Sequence, residues 1–229
     1  MSLVAVTVDL VILSVLADEL HVLLVSRTKE PFCGVPALPG GYVRDGETLK
    51  QAALRKLGDE TGVDGRQLHL EQLRAYDEPD RDPRGRVITV AYVAFGPNMP
   101  EPATTAHAAH WTPVRDALSR GFAMAFDHTA IIHEALEKAR SQLEYTTIAA
   151  AFCPVPFTIG DLRRVYEAVW GLRLDPSNFR RKVTRAEKFV IPTGERRTSE
   201  LGRPSALYRR GQARVLYPPI LRSGESGWA

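Results

Sequence analysis

Residues 40–63 restrict the possible fold of this 229-residue chain more than any other segment. A pair of glycines precedes a short polar turn, and helical periodicity begins after that turn. Leu49, Ala53 and Leu57 recur every four residues, so one face of the helix can pack against an apolar core. The segment therefore predicts a loop, an amphipathic helix and a second loop in fixed order.

The spacing of glycines and charged residues in this segment resembles the Nudix box. That motif has a glycine, a glutamate six positions later, and then Arg-Glu-apolar-any-Glu-Glu-any-Gly-apolar. The positions that fit are Gly41, Glu47, Arg55, Leu57, Glu60, Gly62 and Val63. The resemblance implies a loop–helix–loop that holds magnesium against a diphosphate.

One position departs from the motif, because Lys56 stands where the family has its first helical glutamate. Residues 56, 59 and 60 emerge on one helix face, where the metal would bind. Magnesium needs several oxygen ligands, and an ammonium group offers no lone pair. We therefore predict no metal site, no catalytic residue and no required cofactor, in a domain that binds a nucleotide without hydrolysing it. A charged surface helix without a ligand site is the alternative.

Other residues of the first half suit a nucleotide-sized ligand. Arg27, Lys29 and Phe32 follow the second predicted strand and can contact phosphate and base. The Pro-Gly turn at 81–86 holds three arginines and a carboxylate, which suits an anion and a ribose. A polar turn in which Asp82 pairs with a neighbouring arginine is the alternative. The predicted ligand-binding residues are Arg27, Lys29, Phe32, Gly41, Glu47, Arg55, Glu60, Arg81, Asp82 and Arg84.

Charge divides the chain unequally. Residues 1–149 contain 15 Lys and Arg against 20 Asp and Glu, whereas residues 150–229 contain 15 against 7. Because the basic part also has apolar residues at helical spacing, it predicts a folded module suited to phosphate backbones. A basic surface that only aids solubility is the alternative.

The predicted fold class is α+β. A Nudix-like α/β/α sandwich with a mixed sheet is expected over 1–145, and a winged helix-turn-helix over 146–229. Predicted strands of the first domain span 4–16, 21–26, 68–76 and 87–95 with a short one near 110–111, and an amphipathic helix at 127–143 closes it.

The second domain carries the pattern of a helix-turn-helix. After a short apolar helix at 148–152, Thr158 and Asp161 form a capping-box signature at the start of a helix that Gly171 ends. Asp175, followed by proline, is an N-cap for the next helix. That helix has one apolar face and one face of polar and basic residues, so it is a candidate recognition helix.

Several residues of this domain can contact a DNA duplex. Asn178 and Arg181 can pair with adenine and guanine in the major groove, while neighbouring cations contact phosphates. Residues 192–204 are expected to form the tip of a wing between strands at 189–191 and 206–208. The predicted DNA-binding residues are Asn178, Arg180, Arg181, Lys182, Arg185, Arg196, Arg197 and Arg203. An amphipathic helix without a DNA role is the alternative.

The combination of a degenerate Nudix box with a winged helix is similar, across most of the chain, to the Nudix-related transcriptional regulator family, NrtR. The resemblance implies a homodimeric bacterial repressor of NAD metabolism genes, which binds double-stranded operator DNA until ADP-ribose or a related nucleotide weakens that binding. An active pyrophosphatase acting on ADP-ribose or a dinucleotide is the alternative function, with Glu47, Asp59 and Glu60 holding metal. An RNA-associated hydrolase is a third.

Two features of the sequence bear on the cellular location of the protein. The chain has two cysteines, and its N-terminal apolar run is interrupted by acidic residues and preceded by no basic segment. These features predict a cytoplasmic protein with no membrane partner.

Overall fold

The chain forms two compact units in this computed structural model, which describes residues 4–65, 68–96, 99, 102, 108–198 and 204–222. One unit comprises residues 1–14 and 20–136, and the other comprises residues 15–19 and 137–229. In chain order, the first described elements are β1 (Ala5–Leu16), β2 (Glu19–Ser26), β3 (Pro36–Ala37), β4 (Gly40–Tyr42), α1 (Leu49–Thr61), β5 (His69–Tyr76), β6 (Val87–Phe95), β7 (His110–Pro113), α2 (Val114–Ala117) and α3 (His128–Tyr145). A 3₁₀ helix (Ile148–Phe152), α4 (Ile159–Trp170), α5 (Pro176–Arg185), β8 (Val190–Arg197) and β9 (Ser205–Arg210) follow.

A mixed β-sheet lies at the centre of the first unit. Its strands follow the order β3-β2-β1-β6-β5, with β4 beside β1 and β7 beside β2. Strand β1 is parallel to β6, whereas β5 is antiparallel to β6. Positive φ angles at Ala17 and Asp18 form the turn between β1 and β2. The predicted mixed sheet is confirmed.

Helix α1 packs against one face of this sheet. Val8, Leu10 and Ile12 alternate along β1 and are fully buried in one cluster with Ala53 and Leu57 of the helix. In this stretch of the strand every second residue is apolar and faces the helix, and apolar residues four positions apart on the helix pack against the strand. The apolar face predicted from spacing forms the core here.

Capping residues fix where α1 begins and ends. The Thr48 side chain accepts a hydrogen bond from the backbone N–H of Gln51, and the Gln51 side chain accepts one from the backbone N–H of Thr48. Gly62 ends the helix in the left-handed conformation at φ 72°. This register places Lys56 and Glu60 one turn apart on the same face.

The core of the second unit is built around Tyr166 in α4. Its ring packs edge-on against Trp170 and Phe179, with centroids 4.8 and 5.1 Å apart. Its hydroxyl donates to the carbonyl oxygen of Leu143 at 3.0 Å. Because Phe179 belongs to α5, this cluster holds the two helices of the helix-turn-helix together.

The boundaries of α4 and α5 agree with those predicted. Thr158 caps α4 in a capping box with Asp161, and Gly171 ends the helix at φ 70°. Asp175 accepts from the backbone N–H of Asn178 and caps α5. The predicted helix-turn-helix is confirmed, and the short helix predicted at 148–152 is a 3₁₀ helix.

The wing differs from its prediction. Strand β8 extends from Val190 to Arg197, so Pro192, Arg196 and Arg197 are strand residues and the expected hairpin tip beginning at Pro192 is wrong. A two-stranded ribbon tolerates proline because each strand has an outer edge that forms no ladder hydrogen bonds. The register also shifts between Pro192 and Arg196.

Candidate ligand cavity and nucleic-acid interface

A cavity of about 280 Å³ in the first unit is lined by residues from β2, β4, α1, the turn at 81–84 and the start of α3. Its lining carries charges of both signs. The charged lining residues are Arg27, Lys29, Lys56, Arg81, Arg84, Asp9, Glu30, Glu60 and Asp82. This size and this supply of guanidinium and ammonium groups suit a small ligand that carries phosphate.

Most residues predicted to bind a ligand lie in the wall of this cavity. They are Arg27, Lys29, Gly41, Glu60, Arg81, Asp82 and Arg84. Phe32, Glu47 and Arg55 are not lining residues. Phe32 packs edge-on against the lining residue Phe126, with ring centroids 4.9 Å apart.

Glu47 and Arg55 form an ion pair that supports the loop before α1. Arg55 Nε donates to Glu47 Oε1 and Nη2 donates to Oε2 at 2.8 Å, while Nη2 also donates to the carbonyl oxygen of Tyr42 at 3.1 Å. The hydrogen bonds from Arg55, together with one from the backbone N–H of Arg44, lower the pKa of Glu47 to about 2. The pair therefore holds the glycine-rich segment against the helix.

Lys56 and Glu60 form a second ion pair, on the cavity wall. Lys56 Nζ donates to Glu60 Oε1 at 2.9 Å, and the other carboxylate oxygen, Oε2, accepts from the backbone N–H of Gly40 at 2.9 Å. Glu60 is only 6% exposed. The remaining acid of the motif, Asp59, has a side chain that is 59% exposed and lies 3.8 Å from Arg55.

These residues do not fit the magnesium ion that the Nudix motif implies. Each oxygen of Glu60 already accepts a hydrogen bond, and the ammonium of Lys56 stands where the motif has an oxygen ligand. A divalent cation beside that ammonium would meet repulsion, and magnesium demands near-octahedral oxygen coordination. In the part of the chain that the structure describes, no three His, Cys, Asp or Glu side chains form a group able to hold a metal ion.

Two arginines of the turn at 81–84 are held by carboxylates. Arg81 donates to both oxygens of Asp127, at 2.9 and 2.6 Å, and its Nη2 lies 3.7 Å from Asp9 Oδ2. Arg84 donates to both oxygens of Asp82, and although burial opposes the change, these hydrogen bonds lower the pKa of Asp82. The pairing of Asp82 with Arg84 is the local arrangement that the sequence left open, and it lies inside the cavity.

Aromatic rings complete the cavity, and the sequence analysis did not identify them. The guanidinium carbons of Arg27 and Arg84 lie 4.6 and 5.3 Å from the centroid of Phe126, and that of Arg84 lies 5.2 Å from the centroid of Tyr42. Such stacks hold the planar cations and leave their edges for hydrogen bonds. Phe126 has φ 54°, which is uncommon for a residue with a bulky side chain. A single aromatic residue in a loop gives no periodic signal by which it could be found.

His128 is a buried lining residue that the sequence analysis also missed. Its Nδ1 accepts from the backbone N–H of Leu38 at 2.9 Å, so the neutral ring carries its proton on Nε2, which is 3.7 Å from Asp9 Oδ1. Burial lowers the pKa of His128, while Asp9 and Asp127 act in the opposite direction. The ring is therefore neutral at physiological pH.

We expect His128 to make the folded chain less stable at pH 5.5 than at pH 7.5. Its pKa is near 6.5 when unfolded and lower when folded, so below about pH 6.5 the unfolded state binds the extra proton. The free energy of unfolding should then fall by up to about 1.4 kcal/mol per pH unit. Urea unfolding at both pH values, with wild type and His128→Asn, measures this difference. The asparagine oxygen can still accept from Leu38, and an unchanged pH dependence in the variant would contradict the assignment.

The predicted recognition helix, α5, has one buried and one exposed face. Phe179, Val183 and Ala186 are at most 5% exposed. Arg180, Arg181 and Arg185 are exposed, and Asn178 and Lys182 are half-buried.

Arg181 and Asn178 contact each other on the exposed face of α5. Arg181 Nη2 donates to Asn178 Oδ1 at 2.8 Å. That oxygen has a second lone pair and the amide nitrogen has two N–H groups, so Asn178 can still pair with a base while Arg181 holds it. The two side chains proposed to contact base edges thus orient each other.

The wing arginines have different surroundings. Arg196 is exposed on β8. Arg197 donates to Asp161 Oδ2 at 2.9 Å and to the carbonyl oxygen of Pro156 at 3.1 Å, so it links the wing to the start of α4. Arg203 lies outside the described residues.

Glu167 supports the turn between α4 and α5, and sequence reasoning missed this role. Its Oε1 accepts from the backbone N–H of Leu174 at 2.8 Å and from Arg163 at 2.9 Å, and the residue is 8% exposed. The spacing of Arg163 and Glu167, four residues apart, is a signal for a surface ion pair and not for a buried support.

Comparison with protein families identifies both units. A model of the NUDIX domain matches residues 6–134, and a model of the NrtR DNA-binding winged helix domain matches residues 149–210. In the described part of the chain no helix is both long and apolar enough to cross a membrane.

Three related proteins resemble the chain in sequence or structure, and one of them is compared in two crystal structures. The ADPR responsive transcriptional repressor NtrR of Acinetobacter baylyi is 32% identical over 89% of this chain and 80% of its own. Shewanella oneidensis NrtR complexed with a 27mer DNA has a TM-score of 0.76 and 34% identity, over 90% of this chain and 93% of that one. Its NUDIX domain complexed with ADP ribose has a TM-score of 0.56 and 33% identity, over 61% of this chain and 90% of that one. The ADP-ribose pyrophosphatase of Methanocaldococcus jannaschii is 40% identical over 39% of this chain and 49% of its own.

Proposed function

This chain belongs to the NrtR family, with a NUDIX domain followed by an NrtR winged helix, and we propose that it is an ADP-ribose-responsive transcriptional repressor. The observation that carries the proposal is the exposed cationic face of α5, which stands on a buried apolar face. A helix supported in this way can enter the major groove, with Asn178 and Arg181 at the base edges and Arg180, Lys182 and Arg185 at phosphates.

The cavity of the first unit is the proposed effector site. ADP-ribose has a diphosphate, two riboses and a base, and the cavity offers guanidinium groups, a paired carboxylate at Asp82 and the ring of Phe126. Relatives named for an ADPR response and crystallised with ADP ribose support this choice. We therefore propose ADP-ribose or a related nucleotide as the effector, with no required cofactor.

We further propose that the NUDIX domain senses its ligand without hydrolysing it. The Lys56–Glu60 ion pair removes oxygen ligands from the motif, and phosphoryl-transfer chemistry depends on metal to neutralise developing charge. Glu47 and Arg55 bind each other and support the loop, so neither is assigned a catalytic role.

The functional form is proposed to be a homodimer on operator DNA in the cytoplasm, acting on genes of NAD metabolism. One recognition helix reads a half-site, and two helices one DNA turn apart read a palindrome. The effector must bind differently to the DNA-competent and DNA-incompetent states. Helix α3 is the proposed connection, because it begins at His128 in the cavity wall and extends to Tyr145.

An active ADP-ribose pyrophosphatase is the second candidate function. The match to the Methanocaldococcus jannaschii enzyme favours it, because that match covers part of the chain at 40% identity. In that case Glu47, Asp59 and Glu60 would have to rearrange to bind metal, and the winged helix would be an accessory domain.

The proposed function is tested by fluorescence anisotropy with the full chain. The DNA is a duplex selected by the wild-type protein from a random library, and a scrambled duplex is the control. We expect affinity for the selected duplex to fall steeply with salt, and ADP-ribose to release the DNA at concentrations where AMP does not. Equal affinity for both duplexes, or no release by ADP-ribose, would refute the proposal.

A further inference from the structure

We propose that the ammonium of Lys56 is the permanent counter-charge of the effector's diphosphate, so that the effector binds in the absence of any divalent cation. This inference rests on the proposed function, because it concerns the same cavity. It follows from the disagreement between the Nudix motif and the residues present, and it assigns to Lys56 a binding role that the motif gives to a metal ion.

The position of Lys56 is the first support. A methyl group added at Gly41 would lie 2.4 Å from Lys56 Cε and 2.7 Å from Nζ, so the end of the lysine side chain lies directly against the glycine backbone. Gly41 has φ 148°, which other residues rarely adopt. The glycine therefore leaves space for an ammonium group between the loop and α1, on the cavity wall.

The hydrogen bonds of Lys56 are the second support. Glu60 accepts one of the three N–H groups of the ammonium, and that carboxylate is itself held by the backbone N–H of Gly40. Lys56 is thus fixed in place, with a side chain that is 24% exposed. Among the residues that the structure describes, the ammonium hydrogen-bonds to Glu60 alone, so two N–H groups remain for phosphate oxygens.

The surrounding charges are the third support. Arg27 donates to the carbonyl oxygens of Pro31 and Lys29, at 2.8 and 3.2 Å, and in the described ranges it has no carboxylate within ion-pair distance. Burial and the charge of Arg84 lower the pKa of Arg27, although the carboxylates of Asp82, Glu60 and Asp9 act in the opposite direction. An anion in the cavity is therefore favoured, because it relieves the repulsion between the guanidinium groups of Arg27 and Arg84.

A titration of ADP-ribose into the full chain tests the inference, with EDTA in one series and magnesium chloride in the other. We expect the dissociation constant of the wild type to agree within about twofold between the two series. Lys56→Gln should weaken binding about 10- to 100-fold in both, because a charge-assisted hydrogen bond is lost. Lys50→Gln, with the same change on an exposed position of α1, should leave binding unchanged.

If Lys56→Gln fails to fold, two other substitutions test the role of Lys56, and Gly46→Ala is the control for the first of them. Gly41→Ala should displace the lysine and weaken binding about tenfold, whereas Gly46→Ala, at φ 80° with open space around it, should not. Lys56→Glu should bind weakly in EDTA and recover at least about tenfold when magnesium is added, because the oxygen ligand of the motif is restored.

Different titration results would refute the role of Lys56 and the proposed function. A wild-type affinity that falls about tenfold or more in EDTA, or a folded Lys56→Gln variant with wild-type affinity, would overturn the role of Lys56 alone. Absence of ADP-ribose binding by the wild type in both series would instead contradict the proposed function.

Discussion

The Arg181→Glu variant is expected to bind the selected operator duplex about 100-fold more weakly than the wild type, or worse. The loss of a bidentate contact to guanine costs about 1–3 kcal/mol, and a carboxylate in the same place adds repulsion from neighbouring phosphates. Because the Arg181 side chain is exposed and in the described structure hydrogen-bonds only to Asn178, the substitution should leave the fold intact. Anisotropy titrations at fixed salt measure the loss.

The control for this variant is Arg120→Glu, which makes the same charge change at an exposed position of the first unit. Its affinity for the operator should stay within a few-fold of the wild-type value, since the substitution alters only the long-range electrostatic field. Equal weakening by both substitutions would mean that DNA binding depends on net charge and that α5 is not the recognition helix.

Phe179→Ala should destabilise the winged helix by about 3–5 kcal/mol, because it removes a fully buried aromatic ring. The ring packs edge-on against Tyr166, so the variant loses an aromatic pair as well as apolar contacts. This is a large share of the stability of a small domain, and operator binding should be lost with it. ADP-ribose binding should persist, since the cavity lies in the other unit.

Thermal unfolding followed by tyrosine and tryptophan fluorescence, with an ADP-ribose titration of the same sample, measures both effects. Thr184→Ala is the control on the same helix, where the side chain is exposed and its hydroxyl bonds only to backbone carbonyls. A Phe179→Ala variant with wild-type melting behaviour would show that α5 is not held by this core.

Much of the helical structure was predictable because its signals are local. The caps at Thr158, Gly171 and Asp175 and the apolar spacing of α1 depend on residues a few positions apart. The wing was predicted less well, because strand length depends on pairing with β9 and not on the residues of β8 alone. The sequence predicted that Pro192 would end the first strand of the wing. In the structure Pro192 lies within β8 and pairs in register with Tyr208 of β9.

The candidate site was predictable in part for the same reason. The glycines and Lys56 follow a linear motif, and the turn at 81–84 is compact in sequence. Phe126 and His128 reach the cavity through tertiary folding, about 70 residues after Lys56, so no spacing rule could find them. The pairing of Glu47 with Arg55 shows that a residue can match a motif and still act as a support.

Whether the NUDIX domain senses its nucleotide and leaves it intact can be measured in a single experiment. The protein bound to labelled operator is mixed with ADP-ribose and magnesium, DNA release is followed by anisotropy, and the nucleotide is then analysed by anion-exchange chromatography. We predict complete release with ADP-ribose recovered unchanged, also after prolonged incubation. Stoichiometric conversion to AMP and ribose phosphate, at a rate that matches the release, would show that the domain is a hydrolase and not a sensor.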